Sequence, residues 1–266
     1  MNKTRFLILL ATFILASLAC NLASGLNGAT VSGSGNVVEE AREVSGVTGV
    51  NLATIGDLTI EVGDTESLRI EAEDNLMEYF ETEVRNGKLT IGTKNNVQLQ
   101  PTKPIRYYLR VTGLDTLEIS SAGNIEAPDL EAGKFSMSIS SAGDLEMGNL
   151  EADTLNVNIS SSGNVSMGEL NAGTLEVDIG SSGNLDISGG EVKSQNIKIG
   201  SSGNYTAQDL ASDVAEVRLS SNGSATIWVR DQLKVDLSSS GDLRYRGDPI
   251  VDATTSSAGE VIQIGE

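Results

Sequence analysis

The sequence has no histidine, one cysteine, four prolines and only 4% aromatic residues, and its 18 basic residues face 37 acidic ones. Without histidine there is no Ser-His-Asp or Cys-His machinery, no imidazole zinc ligand and no imidazole general base. A single cysteine rules out an internal disulfide and a thiolate zinc cluster. The formal charge of −19 argues against nucleic acid as a partner, because phosphate binding needs a basic footprint. So few rings make a thick conventional core a poor expectation, although 266 residues are ample to bury one. No cofactor, metal site or catalytic residue is expected.

The cysteine closes the first segment. Met1-Asn2-Lys3-Thr4-Arg5 is a short basic start, and an apolar run from Phe6 leads to the small residues before Cys20. This is the pattern of an export signal; an uncleaved anchor is the competing reading, and typical spans need ~20 apolar residues. Leu18-Ala19-Cys20 resembles the lipobox of bacterial lipoproteins, whose cysteine is acylated after cleavage, although Ser17 stands where leucine is usual. The expected organisation is a signal peptide over 1–19, a small, polar tether over 20–36 and one domain over 37–264. Lipid on Cys20 would hold that acidic domain at a membrane, outside the cytoplasm and on a bacterial cell surface.

Internal repetition governs the rest. A Ser-x-Gly block places glycines at Gly123, Gly143, Gly163, Gly183, Gly203, Gly223, Gly241 and Gly259, spaced by 20 residues five times and then by 18 twice. A fixed period of this size signals a solenoid. Serine stands two before every glycine (Ser121 through Ser201, then Ser221, Ser239 and Ser257), and Asn, Asp, Ser or Glu follows it. The block reads as a turn in which glycine supplies a positive φ.

Around each turn the period becomes two. Ile119, Ile139, Ile159, Ile179, Ile199, Leu219 and Leu237 lie four before the glycines, and Ile125, Leu145, Val165, Leu185, Tyr205, Ala225 and Leu243 lie two after. Short strands with one buried face follow, joined by a return segment carrying Leu130, Leu150, Leu170 or Leu210. No such coil can bury its apolar face alone, whereas stacked coils make a continuous aliphatic column. The expected fold is all-β: a parallel β-helix, right-handed in preference to left-handed because apolar residues do not recur every six, with about 20 residues per coil as the spacing shows. Regular coils are expected over 114–264 and a more irregular part over 37–113. Val50–Ile60 reads as an imperfect early coil and Asn86-Gly87 as a hairpin turn. Tyr79, Phe80, Tyr107 and Tyr108 are bulky enough to cap the first coil.

The Gly-Asn-Ile125, Gly-Asp-Leu145 and Gly-Asn-Val165 triplets follow a Pro104-Ile-Arg-Tyr-Tyr-Leu-Arg-Val111 segment and a lipoprotein-like leader. In these features the chain resembles the bacterial head GIN domain family, described as autotransporter adhesins, over about residues 37–264. The resemblance implies a β-helical, exported, surface-associated domain without assigned enzymatic activity. Nothing after Gly259 offers strands long enough for a translocator barrel, so a lipoprotein adhesin is expected rather than a true autotransporter.

Three functions then compete: a binding module for a glycan or surface protein, a ligand-free structural or envelope-stress scaffold, and a polysaccharide-active enzyme. The Ser and Asn rows lack the Gly-Gly-x-Gly-x-Asp pattern of calcium turns and are expected to satisfy one another between coils. Hydrolysis needs two carboxylates at a fixed separation, and the abundant acids, Glu118, Glu126, Asp178 and Asp186 among them, single out no pair. Residues 111–190 hold 13 acids against Lys134 alone, whereas residues 191–246 hold seven of each sign. In that second stretch alternation points Trp228 outward, with Lys198, Arg218, Arg230, Arg244 and Arg246 as its expected companions. An exposed tryptophan among bases suits stacking on a sugar ring.

Overall fold

A computed structural model describes residues 29–238, 240–256 and 258–265. The expected export signal, Cys20 and the serines Ser239 and Ser257 of the repeat lie outside the described residues. Stacked parallel coils form a β-solenoid, as the repeat predicts. Each coil pairs with the next in register: Ile119 sits beside Ile139, Ile139 beside Ile159, and Ile159 beside Ile179. In the later coils one bent strand runs from turn to turn, as in Asn164–Ile179, Asn184–Ile199 and Asn204–Leu219.

The residues expected to point inward are buried. The Ile119-to-Leu237 column is no more than 1% exposed, and Ile125, Leu145, Val165 and Leu185 beyond the turn are buried with it. A further column, Phe135, Leu155 and Leu175, comes from the strand that follows the return segment. Burying a Leu, Ile or Val side chain contributes about 1.5–3 kcal/mol, and here each rung is buried by its neighbours rather than by its own coil.

The turn glycines are required for a different reason from the one their sequence suggested. None of Gly123, Gly143, Gly163, Gly183, Gly203, Gly223 or Gly241 adopts a positive φ. A Cβ on Gly163 would instead lie 2.1 Å from the Gly143 carbonyl oxygen and 2.7 Å from Ile139 Cγ2. The coils approach so closely at this corner that only hydrogen fits. Gly163 and Gly183 donate their N–H groups to Ser141 and Ser161 of the preceding coil, at 3.1 and 3.0 Å.

Beside the glycines runs a polar ladder. Asp144 Oδ1 accepts from the backbone N–H and the side-chain amide of Asn164, at 2.9 and 2.8 Å. Asn184 donates to Asn164, Asn204 to Asn184 and Ser224 to Asn204, each at 2.8 Å. This row therefore satisfies itself between coils. A second ladder, unforeseen in the sequence, links Asp129, Asn149 and Glu169 through backbone N–H donors at 2.7 and 2.8 Å.

The amino-terminal part extends the stack and closes it. Gly49–Ala53 and Asp57–Val62 form the early coil and lie parallel to 116–119 and 124–126. The hairpin Phe80–Arg85 and Lys88–Thr93 turns through Asn86 and Gly87, both at positive φ. The four aromatic residues divide. Phe80 and Tyr107 are buried edge to face at 5.8 Å, whereas Tyr108 lies outward under the Arg69 guanidinium at 4.0 Å. Tyr79 is half-buried beside Lys94. Burial pushes the Tyr107 hydroxyl well above its ordinary value.

Residues 29–36 correct the expected tether. Ala29–Ser32 forms a strand parallel to Val97–Gln100, and the next residues are fastened by the buried carboxylate of Glu73. That carboxylate accepts from Gly35 N–H at 2.6 Å, Thr102 N–H at 2.8 Å and the Thr102 hydroxyl at 2.6 Å. Small polar composition reads as flexible only where no partner supplies hydrogen bonds, and here Glu73 and Gln100 supply them.

Candidate binding surface

The change of spacing from 20 to 18 builds the site around Trp228. Through Ala207 and Ile227 the coils stay 20 residues apart, but Ala211 then pairs with Trp228 and Ser212 with Val229. Gln208, Asp209 and Leu210 bulge out of the ladder, and the register settles at 18 from Val214 and Gln232 onward. A bulge of this kind bends the strand and re-aims side chains.

Trp228 alternates with buried Ala225, Ile227 and Val229, and stands partly exposed. The Arg246 guanidinium lies 4.9 Å from its ring centre and that of Arg230 lies 5.8 Å away. Arg246 donates to Asp209 at 2.8 Å and to the Gln208 carbonyl at 3.3 Å, so the bulge itself fixes this arginine. Arg230 pairs with Glu191 and, at 3.6 Å, with Asp213. The hydrogen bond that Arg230 donates to Glu191 raises the Arg230 pKa, against a smaller opposing effect of desolvation. Gly247, at a positive φ, closes the back of the platform: a Cβ there would meet the Val229 carbonyl at 1.9 Å and Trp228 Cδ1 at 3.5 Å.

The structure thus brings together Trp228, Arg230 and Arg246, keeps Arg244 in its expected register beside Thr226, and places Lys198 and Arg218 elsewhere. Arg244 is exposed beside Thr226, two residues along the same short strand. Lys198 and Arg218 do stack on each other, but on the strands 194–199 and 214–219, where they and Lys234 surround Glu216. A hydrogen bond from Lys234 holds the Glu216 carboxyl below its ordinary value, helped by the charges of Arg218, Lys234 and Lys198. Alternation separated inward from outward side chains, but not one outward flank from another.

The acidic half of the repeat has its own geometry. An open groove of about 710 Å³ runs along the return segments, lined by Glu131, Glu151, Asp153 and Glu191, by Ala132, Ala152 and Ala172, and by one base, Lys193. It ends at Glu191, the partner of Arg230, so the acidic flank abuts the tryptophan platform. Among the described residues no group of three acidic or cysteine side chains converges as metal ligands. Glu73 and Asp74 are held below their ordinary values chiefly by hydrogen bonds, from Thr102 and from Asn36.

A family model described as "Putative auto-transporter adhesin, head GIN domain" matches residues 47–249. The chain belongs to the head GIN domain family. A crystal structure described as a "putative adhesin" from Parabacteroides distasonis superposes with a TM-score of 0.79 at 23% identity, covering 89% of this chain and 100% of that one. A second, from Parabacteroides merdae, gives 0.77 at 21% identity over 88% and 99%. A third, described as a "putative lipid binding protein" from Parabacteroides distasonis, gives 0.71 at 21% identity over 89% and 100%. At such identities these structures share the solenoid fold with this chain. No curated protein matches. Among the described residues no helix is long and apolar enough to cross a membrane.

Proposed function

We propose that this head GIN protein is an exported, non-enzymatic binding module, held at a bacterial membrane by lipid on Cys20, that attaches to a glycan or matrix protein through the platform around Trp228. The family description supports the adhesive role. The observation that carries the site is the chain's one tryptophan, partly exposed and flanked by two arginines that neighbouring carboxylates hold in place. A flat apolar ring bordered by fixed donors and acceptors is the usual equipment for a sugar ring.

The test is a glycan and matrix-protein array probed with the domain from residue 21. A ligand found there is expected to shift Trp228 emission saturably, and Trp228→Ala is expected to lose binding at an unchanged melting temperature. If Trp228→Ala binds as well as the parent, or merely unfolds earlier, the patch belongs to the fold. A ligand-free spacer is the second reading, and the pairing of both arginines with acids favours it. It predicts an array without a saturable ligand.

A further inference from the structure

Four departures from the aliphatic columns are gathered in the two coils that precede the short one. Gly190 stands where the neighbouring coils have Leu170 and Leu210. Gln195 stands between Leu175 and Ala215, Tyr205 between Leu185 and Ala225, and Ser212 between Val192 and Val229. Gln195, Tyr205 and Ser212 are each no more than 2% exposed. Their polar atoms form one chain. Tyr205 donates its hydroxyl to Gln195 Oε1 at 3.1 Å, and Gln195 Nε2 donates to Ser212 Oγ at 2.8 Å. Ser212 in turn donates its hydroxyl to the Trp228 carbonyl at 2.9 Å.

Burying an amide and two hydroxyls is costly unless each finds a partner. Leucine fills the Gln195 position two coils in succession, at Leu155 and Leu175, so the column itself does not call for an amide. The chain ends on a backbone carbonyl at the register jump, where Trp228 steps from a spacing of 20 to one of 17 against Ala211. A jump interrupts the regular ladder and leaves the strand free to twist. A donor fixed from inside the core removes that freedom.

We infer that Tyr205, Gln195 and Ser212 are positioning residues for Trp228: the buried chain sets the backbone angle at which the tryptophan leaves the solenoid, and so its place beside Arg246 and Arg230. This deepens the reading of Trp228 as a contact residue and rests on it for its biological meaning. Satisfied buried networks of this type specify one arrangement where an apolar core would tolerate several. Removing the Ser212 hydroxyl takes a donor from the Trp228 carbonyl and an acceptor from Gln195, and it changes none of the exposed platform residues themselves.

The test uses the whole domain and reads Trp228 directly, without a ligand. Ser212→Ala is expected to weaken the tryptophan near-ultraviolet circular dichroism and to raise acrylamide quenching of its emission, and Ser212→Thr, which keeps the hydroxyl, to restore both. Leu155→Ala, two coils from Gln195 and in no contact with the chain, lowers stability and is expected to leave both signals at parent values. Unchanged Trp228 signals in a folded Ser212→Ala protein, or an equal change in Leu155→Ala, would overturn the inference. If Ser212→Ala does not fold, Tyr205→Phe, which removes only the outer hydroxyl, is expected to move the same signals in the same direction, and parent values there would overturn it. Should the signals move as expected while no array ligand is found for the parent, the positioning stands and the contact reading falls.

Discussion

A Cβ built on Gly163 falls 2.1 Å from the carbonyl oxygen of Gly143, one coil earlier. The same contact recurs along the corner, at 2.3 Å between Gly183 and Gly163 and again between Gly203 and Gly183. Each turn therefore seats its glycine against the backbone of the last. The repeat is a packing device, whatever φ it adopts.

Gly163→Ala should accordingly cost about 1–3 kcal/mol through overpacking, even though alanine suits the backbone angles. Gly180→Ala, at a glycine with nothing within 4 Å of its Cβ, should change stability by no more than about 0.5 kcal/mol. Urea denaturation of the two variants checks the contrast. Equal effects would show that close approach is not what requires the glycines.

Ile159 is completely buried in the inward column. Ile159→Asp should cost about 3–5 kcal/mol at neutral pH, the range for an uncompensated buried charge. Burial raises the folded pKa of the new carboxyl, so its penalty is greatest above that value and eases as acidification neutralises it. Denaturation midpoints at neutral and mildly acidic pH should therefore show a smaller gap between parent and variant in acid. A gap that does not narrow means that the carboxylate has escaped to solvent.

Glu73 ties residues 33–35 to Thr102, and its folded pKa lies below the ordinary 4.5, chiefly because of the Thr102 hydroxyl. A lowered folded value contributes stability above the unfolded pKa, and that contribution is lost as pH falls through the folded one. Hydrogen-exchange protection of Gly35 and Thr102 should therefore fall on acidification through this range. Glu73→Gln should show weaker protection at neutral pH and little further change in acid. Protection that is independent of pH in the parent would remove Glu73 as the fastener.

Cys20 carries the expectation about location. Cys20→Ala should abolish metabolic labelling with palmitate and release the protein to the medium. Labelling that persists in the variant would place the lipid elsewhere or nowhere.

Much of the architecture was legible because a stacked repeat is nearly one-dimensional: each coil meets only its neighbours, so period and alternation determine which side chains face inward. The 20-residue spacing, the Ile119-to-Leu237 column and the Asn86-Gly87 turn all follow from local pattern. Three things depended on contacts distant in sequence. Residues 29–36 read as tether until Gln100 and Glu73 supplied their partners. The change from 20 to 18 was visible as a number, but only pairing against 207–214 placed the bulge and brought Asp209 to Arg246. The five basic residues expected around Trp228 all point outward, yet a coil has more than one outward flank, and its bends put Lys198 and Arg218 beside Glu216 instead. Sequence alone determined the period and the buried face, because both are local; only the tertiary structure decided the corners and the meeting of side chains across them, because those depend on where the chain turns.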